Sequence, residues 1–123
     1  MSTKKKILCF DLDGVICSNT KYKKSDLLDY KKSKSIPIAV KTINKLYDDG
    51  HTIIIYTARG MTRYKGNVSL IKKKLSELTI NSLKSWNLKY HKLVFGKIYY
   101  DLIIDDKSIN YKSDWTKNIF KKN

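Results

Sequence analysis

Four of the eleven acidic residues in this 123-residue chain follow short apolar runs, in positions suited to phosphate chemistry. Asp11 and Asp13 follow one such run, and Asp105 and Asp106 follow another. Because side chains at i and i+2 of an extended chain point to the same side, Asp11 and Asp13 can act on one substrate. One carboxylate can attack phosphorus and form an acyl phosphate, while the other handles the proton of the leaving group.

Two further polar residues occupy the same kind of position. Thr57 comes directly after the apolar run that contains Ile53–Ile55, and Lys97 comes one glycine after Lys92–Phe95. A threonine hydroxyl and a lysine ammonium can hold phosphoryl oxygens and offset the charge that develops in the transition state. Together with the acids, these residues indicate phosphoryl transfer.

The elements that must position these residues alternate between strands and helices. Strands are predicted at Lys6–Phe10, His51–Tyr56, Lys92–Phe95 and, as a fourth, Leu102–Ile104. Helices are predicted from Pro37 to Gly50 and from Leu70 towards Trp86, with the tail Ser108–Asn123 helical in part. The second strand is a continuous β-branched run, which predicts burial on both faces. This order predicts one domain over residues 1–123, a three-layer α/β/α sandwich with a parallel, Rossmann-like sheet.

In a parallel sheet the carboxyl ends of the strands meet at one edge, which would bring Asp11, Asp13, Asp105 and Asp106 together. Asp101 begins the fourth predicted strand and lies about 13 Å from Asp105, at roughly 3.3 Å per residue, so it cannot join this cluster of acids. Four ionised carboxylates cannot share a small volume unless a cation neutralises them. Oxygen ligands without strict geometric demands indicate Mg²⁺ rather than zinc.

The same residues resemble the motifs of the haloacid dehalogenase superfamily of phosphatases. In order along the chain, the four motifs are Asp11–Val15, Tyr56–Gly60, Phe95–Lys97 and Ile104–Lys107. The resemblance covers nearly all of residues 6–107. More narrowly, the chain looks like the short members without a large cap domain that are associated with capsule and surface-polysaccharide biosynthesis, in the stretches Gly50–Met61 and Trp86–Lys107.

This resemblance implies a magnesium-dependent phosphatase acting on a small phosphate monoester through an aspartyl phosphate. The implied leaving group is a sugar, a polyol or an amino alcohol. Asp11 would be the nucleophile, and Asp13 the general acid and then the general base. The residues implied to bind the phosphoryl group are Thr57, Ala58 and Lys97. Those implied at the metal are Asp11, Asp13 through its main-chain carbonyl, Asp105 and Asp106.

Two departures from the common motifs leave one assignment open. Val15 stands in the first motif where threonine is frequent, and no glycine precedes the fourth motif. Neither change removes a chemical group. They leave open which of Asp105 and Asp106 contacts the metal directly.

The sequence leaves the role of one arginine open and predicts structural roles for the two histidines. Arg59, one of only two arginines, has two readings: a clamp for a phosphate or carboxylate, and thus a substrate contact, or a surface residue. His51 and His91 both precede strands, so they are predicted to lie at the opposite edge of the sheet in structural roles. The segment Cys17–Ser35 follows the first strand directly and is predicted to be a small flap that governs substrate choice.

The net charge of +15 favours anionic substrates, but its composition argues against nucleic acid as the main partner. Of the 26 cationic residues, 24 are lysines, whereas arginine is preferred for bidentate phosphate and base contacts. A nucleotide or polynucleotide phosphatase, or a nucleic-acid-binding module, is therefore the alternative function. A phospho-acceptor signalling module is disfavoured, because its acid pair ends the first strand and here the adjacent aspartates come last.

The remaining expectations concern location and assembly. Cys9 and Cys17 lack the spacing of metal ligands or of a disulfide pair, so both are predicted to be reduced, with Cys9 as a small core residue. The apolar runs are far shorter than the roughly 18 residues of a membrane span. We therefore expect a cytoplasmic protein. An open site implies a large substrate or closure by a neighbouring subunit of a homo-oligomer.

Overall fold

The computed structural model describes residues 4–18 and 30–120 of the chain. The elements are β1 (Ile7–Asp11), α1 (Pro37–Asp48), β2 (Thr52–Thr57), α2 (Val68–Ser85), β3 (Lys92–Phe95) and the short α3 (Trp115–Asn118). The three strands form a parallel sheet in the order β1-β2-β3. Three predicted strands and both long helices are thus confirmed, with boundaries shifted by one or two residues.

Local sequence explains where the two long helices begin. Pro37 occupies the first turn of α1, where its fixed φ is suitable and its missing N–H costs no hydrogen bond. At the start of α2, the Asn67 side chain accepts a hydrogen bond from the N–H of Leu70 at 3.1 Å. Gly50 follows α1 with a φ of 99°, a left-handed conformation that glycine adopts without strain.

Both long helices pack on the same face of the sheet. The strand register places the core residues Leu8, Phe10, Ile53, Ile55, Leu93 and Phe95 on that face. Ala39, Ile43 and Leu46 of α1 and Leu83 of α2 join the core there. Strands in the order β1-β2-β3 joined by right-handed crossovers place consecutive helices on one side. The predicted third layer is therefore not formed by the described residues, which make a two-layer α/β unit.

The opposite face of the sheet, which we call the open face, carries Ile7, Cys9, Ile54, Tyr56 and Val94. Ile7 is 74% exposed and Val94 37% exposed, while Ile54 and Tyr56 are half-buried. Two expectations are corrected here. Strand β2 is fully buried on one face only, and Cys9 is exposed on the open face instead of lying in the core.

The predicted fourth strand is not present. Residues 102–104 have no strand pairing, and Leu102 and Ile104 are 77% and 90% exposed. The β-branched, apolar composition of this segment favours an extended chain, but it does not provide a partner strand. The tail contains the short helix α3, whose Trp115 ring lies 5.5 Å from that of Phe10. Within residues 4–18 and 30–120, no helix is long and apolar enough to cross a membrane.

The segment predicted as a flap, 17–35, is described only at its two ends, since residues 19–29 lie outside the described ranges. The ends lie side by side. The N–H of Ser18 donates to the Lys34 carbonyl, and that of Ile36 donates to the Ile16 carbonyl, each at 2.8 Å. Both ends are thus fixed just beyond β1.

The two histidines stabilise the edge of the sheet opposite the carboxyl ends of the strands, in the structural role that the sequence predicts. The Nδ1 atom of His51 accepts a hydrogen bond from the N–H of Lys6, and that of His91 from the N–H of Ile53, both at 3.0 Å. His51 is buried, whereas His91 is exposed.

We expect His51→Phe to lower the free energy of unfolding by about 1–3 kcal/mol, because it leaves the N–H of Lys6 without its acceptor. Urea unfolding measures this loss. His91→Phe makes the same change beside the next strand and should cost at least as much, since it removes the acceptor of the N–H of Ile53, a fully buried residue. An unchanged midpoint for His51→Phe would contradict the assigned role.

Candidate active site

A cavity of about 600 Å³ lies at the carboxyl ends of the strands, where the site was predicted. Its lining residues are Asp11, Asp13, Tyr30, Ala58, Arg59, Thr62, Lys97, Ile98, Tyr99 and Tyr100. Each strand contributes to it: Asp11 ends β1, Ala58 follows β2, and Lys97 follows β3 by one residue. This volume is in the range of pockets that bind small molecules.

Asp11 and Lys97 form the polar floor of the cavity. The Lys97 Nζ lies 3.3 Å from the Asp11 Oδ2, and both side chains are partly accessible. The other carboxylate oxygen of Asp11 accepts from the N–H of Leu12 at 2.9 Å. An accessible carboxylate oxygen beside an ammonium can meet an electrophilic phosphorus, while the ammonium meets the oxygens of the same phosphoryl group.

Burial raises the pKa of Asp11 above its ordinary value, and the neighbouring Lys97 opposes that rise. A raised pKa in the folded state means that ionised Asp11 costs stability once the pH exceeds the pKa of the unfolded chain. The fold therefore keeps a carboxylate at this position at some expense. Such a shift is common at functional sites.

Asp13 is held by Arg59 through two parallel hydrogen bonds. The Arg59 Nε donates to Asp13 Oδ2 at 2.8 Å, and the Nη2 donates to Asp13 Oδ1 at 2.9 Å. The Arg59 side chain is only 1% exposed, and that of Asp13 is 18% exposed. Of the two readings open for Arg59, the surface residue is thus wrong: it is a carboxylate clamp on a residue of its own chain.

Thr57 and Ala58 differ in how they meet the cavity. Ala58 lines it and is exposed. Thr57 is buried and is not among the lining residues; its hydroxyl oxygen accepts from the N–H of Arg59 at 3.0 Å. The Thr57 carbonyl accepts from the N–H of Lys97 at 3.2 Å, which ties the two loops together. Thr57 thus orders the loop after β2, while Lys97 and Ala58 line the cavity.

Asp105 and Asp106 do not join the other acids. Both are exposed, neither lines the cavity, and the Asp105 carboxylate accepts instead from the N–H of Lys107 at 2.9 Å. Asp105 and Asp106 were predicted to reach the edge of the sheet because they follow a fourth strand. That strand is not formed, so the basis for this prediction is absent. Among the described residues no group of three acids, histidines or cysteines is close enough to hold a metal.

The donor set therefore does not fit the predicted four-acid magnesium site. Asp11 has a carboxylate oxygen at the cavity, whereas the Asp13 carboxylate is paired with Arg59 and neither Asp105 nor Asp106 lines the cavity. Magnesium is often held by one or two carboxylates, water and substrate phosphate oxygens. Of the four acidic side chains, that of Asp11 matches this smaller requirement.

Two contacts of Arg59, with Tyr30 and with Thr79, were not predicted from the sequence. Tyr30 stacks on the guanidinium of Arg59, with the charged carbon 4.6 Å from the ring centre, and its hydroxyl accepts from the N–H of Gly60 at 3.3 Å. Thr79 of α2 accepts from the Arg59 Nη1 at 3.3 Å. One signal existed: Thr79 is a polar residue in the buried stripe Ile71, Leu75, Thr79 and Leu83 of α2. A polar side chain at such a position needs a buried partner.

Cys17 lies beside this pair, buried and outside the cavity lining. Burial, followed by the charge of Asp13, raises the pKa of its thiol to about 12. The thiol lies 3.4 Å from the Asp13 Oδ1, to which it donates. Since only the thiolate is reactive, Cys17 is a packing residue of the site.

Comparison with known proteins supports the fold and goes no further. A crystal structure of an MCSG target from Vibrio cholerae superposes with a TM-score of 0.75, covering 95% of this chain and 97% of that chain at 22% identity. Neither a protein-family model nor a curated protein sequence matches the chain. At this identity the likeness shows a shared α/β fold alone.

Proposed function

We propose that this protein is a phosphatase that hydrolyses a small phosphate monoester, with Asp11 as the nucleophile. The observation that carries the proposal is the Asp11 carboxylate at the floor of the cavity, 3.3 Å from the Lys97 ammonium. The carboxylate can attack phosphorus, and the ammonium beside it can offset the negative charge on the phosphoryl oxygens, so the pair suits phosphoryl transfer. Asp13, two residues away, supplies a second carboxylate at the same cavity.

The proposed reaction has two displacements. A carboxylate oxygen of Asp11 forms a bond to phosphorus as the ester oxygen leaves, and Asp13, which enters this step in its protonated form, gives that oxygen its proton. Asp13 then takes a proton from water, whose oxygen attacks the aspartyl phosphate and restores the Asp11 carboxylate. Inorganic phosphate is the second product. Lys97 offsets charge on the phosphoryl oxygens in both steps.

The proposal includes Mg²⁺, which the resemblance to haloacid dehalogenase phosphatases implies. Asp11 is the side chain placed to hold it, together with substrate oxygens and water. When bound, the ion would screen the negative charge of the phosphate. Membership of that superfamily and a cytoplasmic location are further parts of the proposal.

The leaving group is proposed to be a neutral sugar or polyol, or an amino alcohol. Arg59 is committed to Asp13 and Lys97 pairs with Asp11, so the described part of the chain offers no further cation in the cavity lining for a second phosphate. Ile98, Tyr99 and Tyr100 provide a mostly apolar wall instead. Such a wall suits the faces of a sugar ring better than a polyphosphate.

A phosphate-release screen in millimolar Mg²⁺ or in EDTA tests this proposal. We expect the rate of release to be about a hundredfold higher with Mg²⁺, since metal screening is worth several kcal/mol. The substrates are p-nitrophenyl phosphate, hexose phosphates, glycerol and ethanolamine phosphates, nucleotides and 3′-phosphorylated oligonucleotides. We expect release from the small esters and loss of activity in EDTA. Preference for oligonucleotides, with affinity that falls steeply with salt, would favour the nucleic-acid alternative. No release from any ester would refute the proposal.

Calorimetric titration with Mg²⁺ tests the metal ligands separately. Asp11→Asn should weaken binding strongly. Asp105→Asn should leave it unchanged if the arrangement of residues 102–106 described above persists in the loaded protein. A large loss would show that these residues move to the site when Mg²⁺ binds.

A further inference from the structure

We propose that Arg59 is a positioning residue for proton transfer, acting through the carboxylate of Asp13, and this role rests on the proposed phosphatase function. The residue lies in the wall of the site, yet its charged group has almost no access to a substrate. Its contacts run instead to Asp13, to α2 and to the segment that returns from the predicted flap. A substrate-binding arginine would leave part of its guanidinium exposed to the cavity.

The first line of evidence is that the donors of Arg59 are directed at protein groups. The Nε and Nη2 atoms donate to the two oxygens of Asp13, and the Nη1 donates to Thr79. The face of the guanidinium packs against the Tyr30 ring, and Ser33 lies at 3.5 Å from the Nη2. Burying a guanidinium is costly unless it is paired and hydrogen-bonded in this way.

The second line is what these contacts do to Asp13. Paired N–H groups of a guanidinium hold both carboxylate oxygens in one plane, which fixes the orientation of the side chain. Each of these oxygens keeps a further lone pair, so a proton can still be exchanged at the partly accessible edge of the carboxylate. Asp13 lies in a turn with Gly14 next to it, and the backbone alone would leave its side chain free to choose among rotamers.

The third line is the way in which Arg59 itself is fixed. Its own N–H donates to the Thr57 hydroxyl, and the next residue, Gly60, donates its N–H to the Tyr30 hydroxyl. A side chain at Gly60 would collide with Leu75, because a Cβ built there lies 2.8 Å from Leu75 Cδ1. The loop after β2 is thus fastened to α2 and to residue 30, and it presents the guanidinium to Asp13 in a single geometry.

A purely structural role for Arg59 is the competing explanation. In that case its replacement would weaken the fold and lower all activities in proportion. A positioning role gives a different pattern, because proton donation matters most when the leaving group is a poor one. Hydrolysis of an alkyl phosphate should then suffer far more than hydrolysis of p-nitrophenyl phosphate.

The experiment compares Arg59→Gln and Arg59→Lys with the matched control Arg63→Gln, an exposed arginine outside the cavity lining. We expect Arg59→Gln to lower kcat on glycerol phosphate by about 30-fold or more, with kcat on p-nitrophenyl phosphate within about threefold and KM little changed. Arg59→Lys, which keeps the charge without the bidentate pair, should fall between. Arg63→Gln should match the wild type on both esters.

A double-mutant cycle decides whether Arg59 acts through Asp13. In an Asp13→Asn background, adding Arg59→Gln should change the glycerol phosphate rate by no more than about twofold, because the group it positions is gone. Equal losses on the two esters, or full losses in both backgrounds, would overturn the proposal in favour of a structural role.

A second cycle uses urea unfolding of the same four proteins and needs no substrate. It measures the coupling between Arg59 and Asp13 in the fold, and additive effects would show that the pair does not exist in solution. If the wild type hydrolyses none of the esters, the proposed function fails and the role in proton transfer falls with it. The unfolding cycle still reports separately on the pair.

Discussion

Asp11→Asn is expected to lower kcat for phosphate-ester hydrolysis by at least about a thousandfold while leaving the fold intact. A carboxamide has nearly the shape of a carboxylate but cannot form the acyl phosphate. Lys97 would lose its charged partner at 3.3 Å, yet it is partly accessible and water can replace that contact. Phosphate release on p-nitrophenyl phosphate and on a hexose phosphate measures the effect.

The thermal midpoint of Asp11→Asn should equal or exceed that of the wild type. Burial raises the pKa of Asp11, so its ionised form lowers stability at neutral pH and the neutral amide removes this cost. Asp101→Asn makes the same chemical change at an exposed residue outside the cavity and should leave activity unchanged. If Asp11→Asn keeps more than a tenth of the turnover, another group is the nucleophile.

Asp13→Asn is expected to separate good leaving groups from poor ones. General acid catalysis contributes about 10²–10⁴ in rate, and nearly all of it is needed when the departing oxygen is an alkoxide. We therefore expect a loss of at least about a hundredfold on glycerol phosphate and less than about tenfold on p-nitrophenyl phosphate. Parallel kcat measurements on the two esters test this, and equal losses would argue against proton transfer by Asp13.

The same variant should be less stable than the wild type. An asparagine turns an NH₂ group towards the Arg59 guanidinium, which is buried and loses a charged partner. Breaking a buried pair costs about 3–5 kcal/mol, so the assays belong well below the unfolding transition. Retained hydrolysis of p-nitrophenyl phosphate serves as the internal evidence that the variant is folded.

Local patterns sufficed to predict the elements that carry the cavity. The Ile53–Ile55 run, the proline at position 37 and the apolar spacing in α2 each report on their own segment, and the strand and the two helices that they predict are confirmed. The layers were predicted less well. Which face of a strand a helix covers depends on the order of strands in the sheet, and that order is a property of distant segments.

The fourth strand shows the same limit for the site. Leu102–Ile104 have the composition of a buried strand, yet in the structure they are exposed and unpaired. Composition reports what a segment can do, whereas pairing depends on the position of a second segment. The convergence of Asp105 and Asp106 with Asp11 was inferred entirely from that pairing, so it failed with it.

The contact between Arg59 and Asp13 was within reach of the sequence only in part. The rarity of arginine in a lysine-rich chain marked Arg59 as unusual, and Thr79 marked a polar position within an apolar stripe. Arg59 and Thr79 meet because the chain turns after β2 at Gly60, which has a φ of 78°, and then continues towards α2. Such a long-range contact has no periodic signal along the chain.

The open face of the sheet also bears on how the protein behaves in a concentrated solution. Ile7, Cys9 and Val94 present apolar surface of a kind that promotes association, and β1 has an unpaired outer edge within the described part of the chain. A net charge of +15 makes the molecules repel one another at a distance. This repulsion extends over a screening length of about 10 Å at 0.1 M salt and about 3 Å at 1 M. The positive charge of the lysines therefore opposes association of molecules through the open face, and this protection weakens as ionic strength rises.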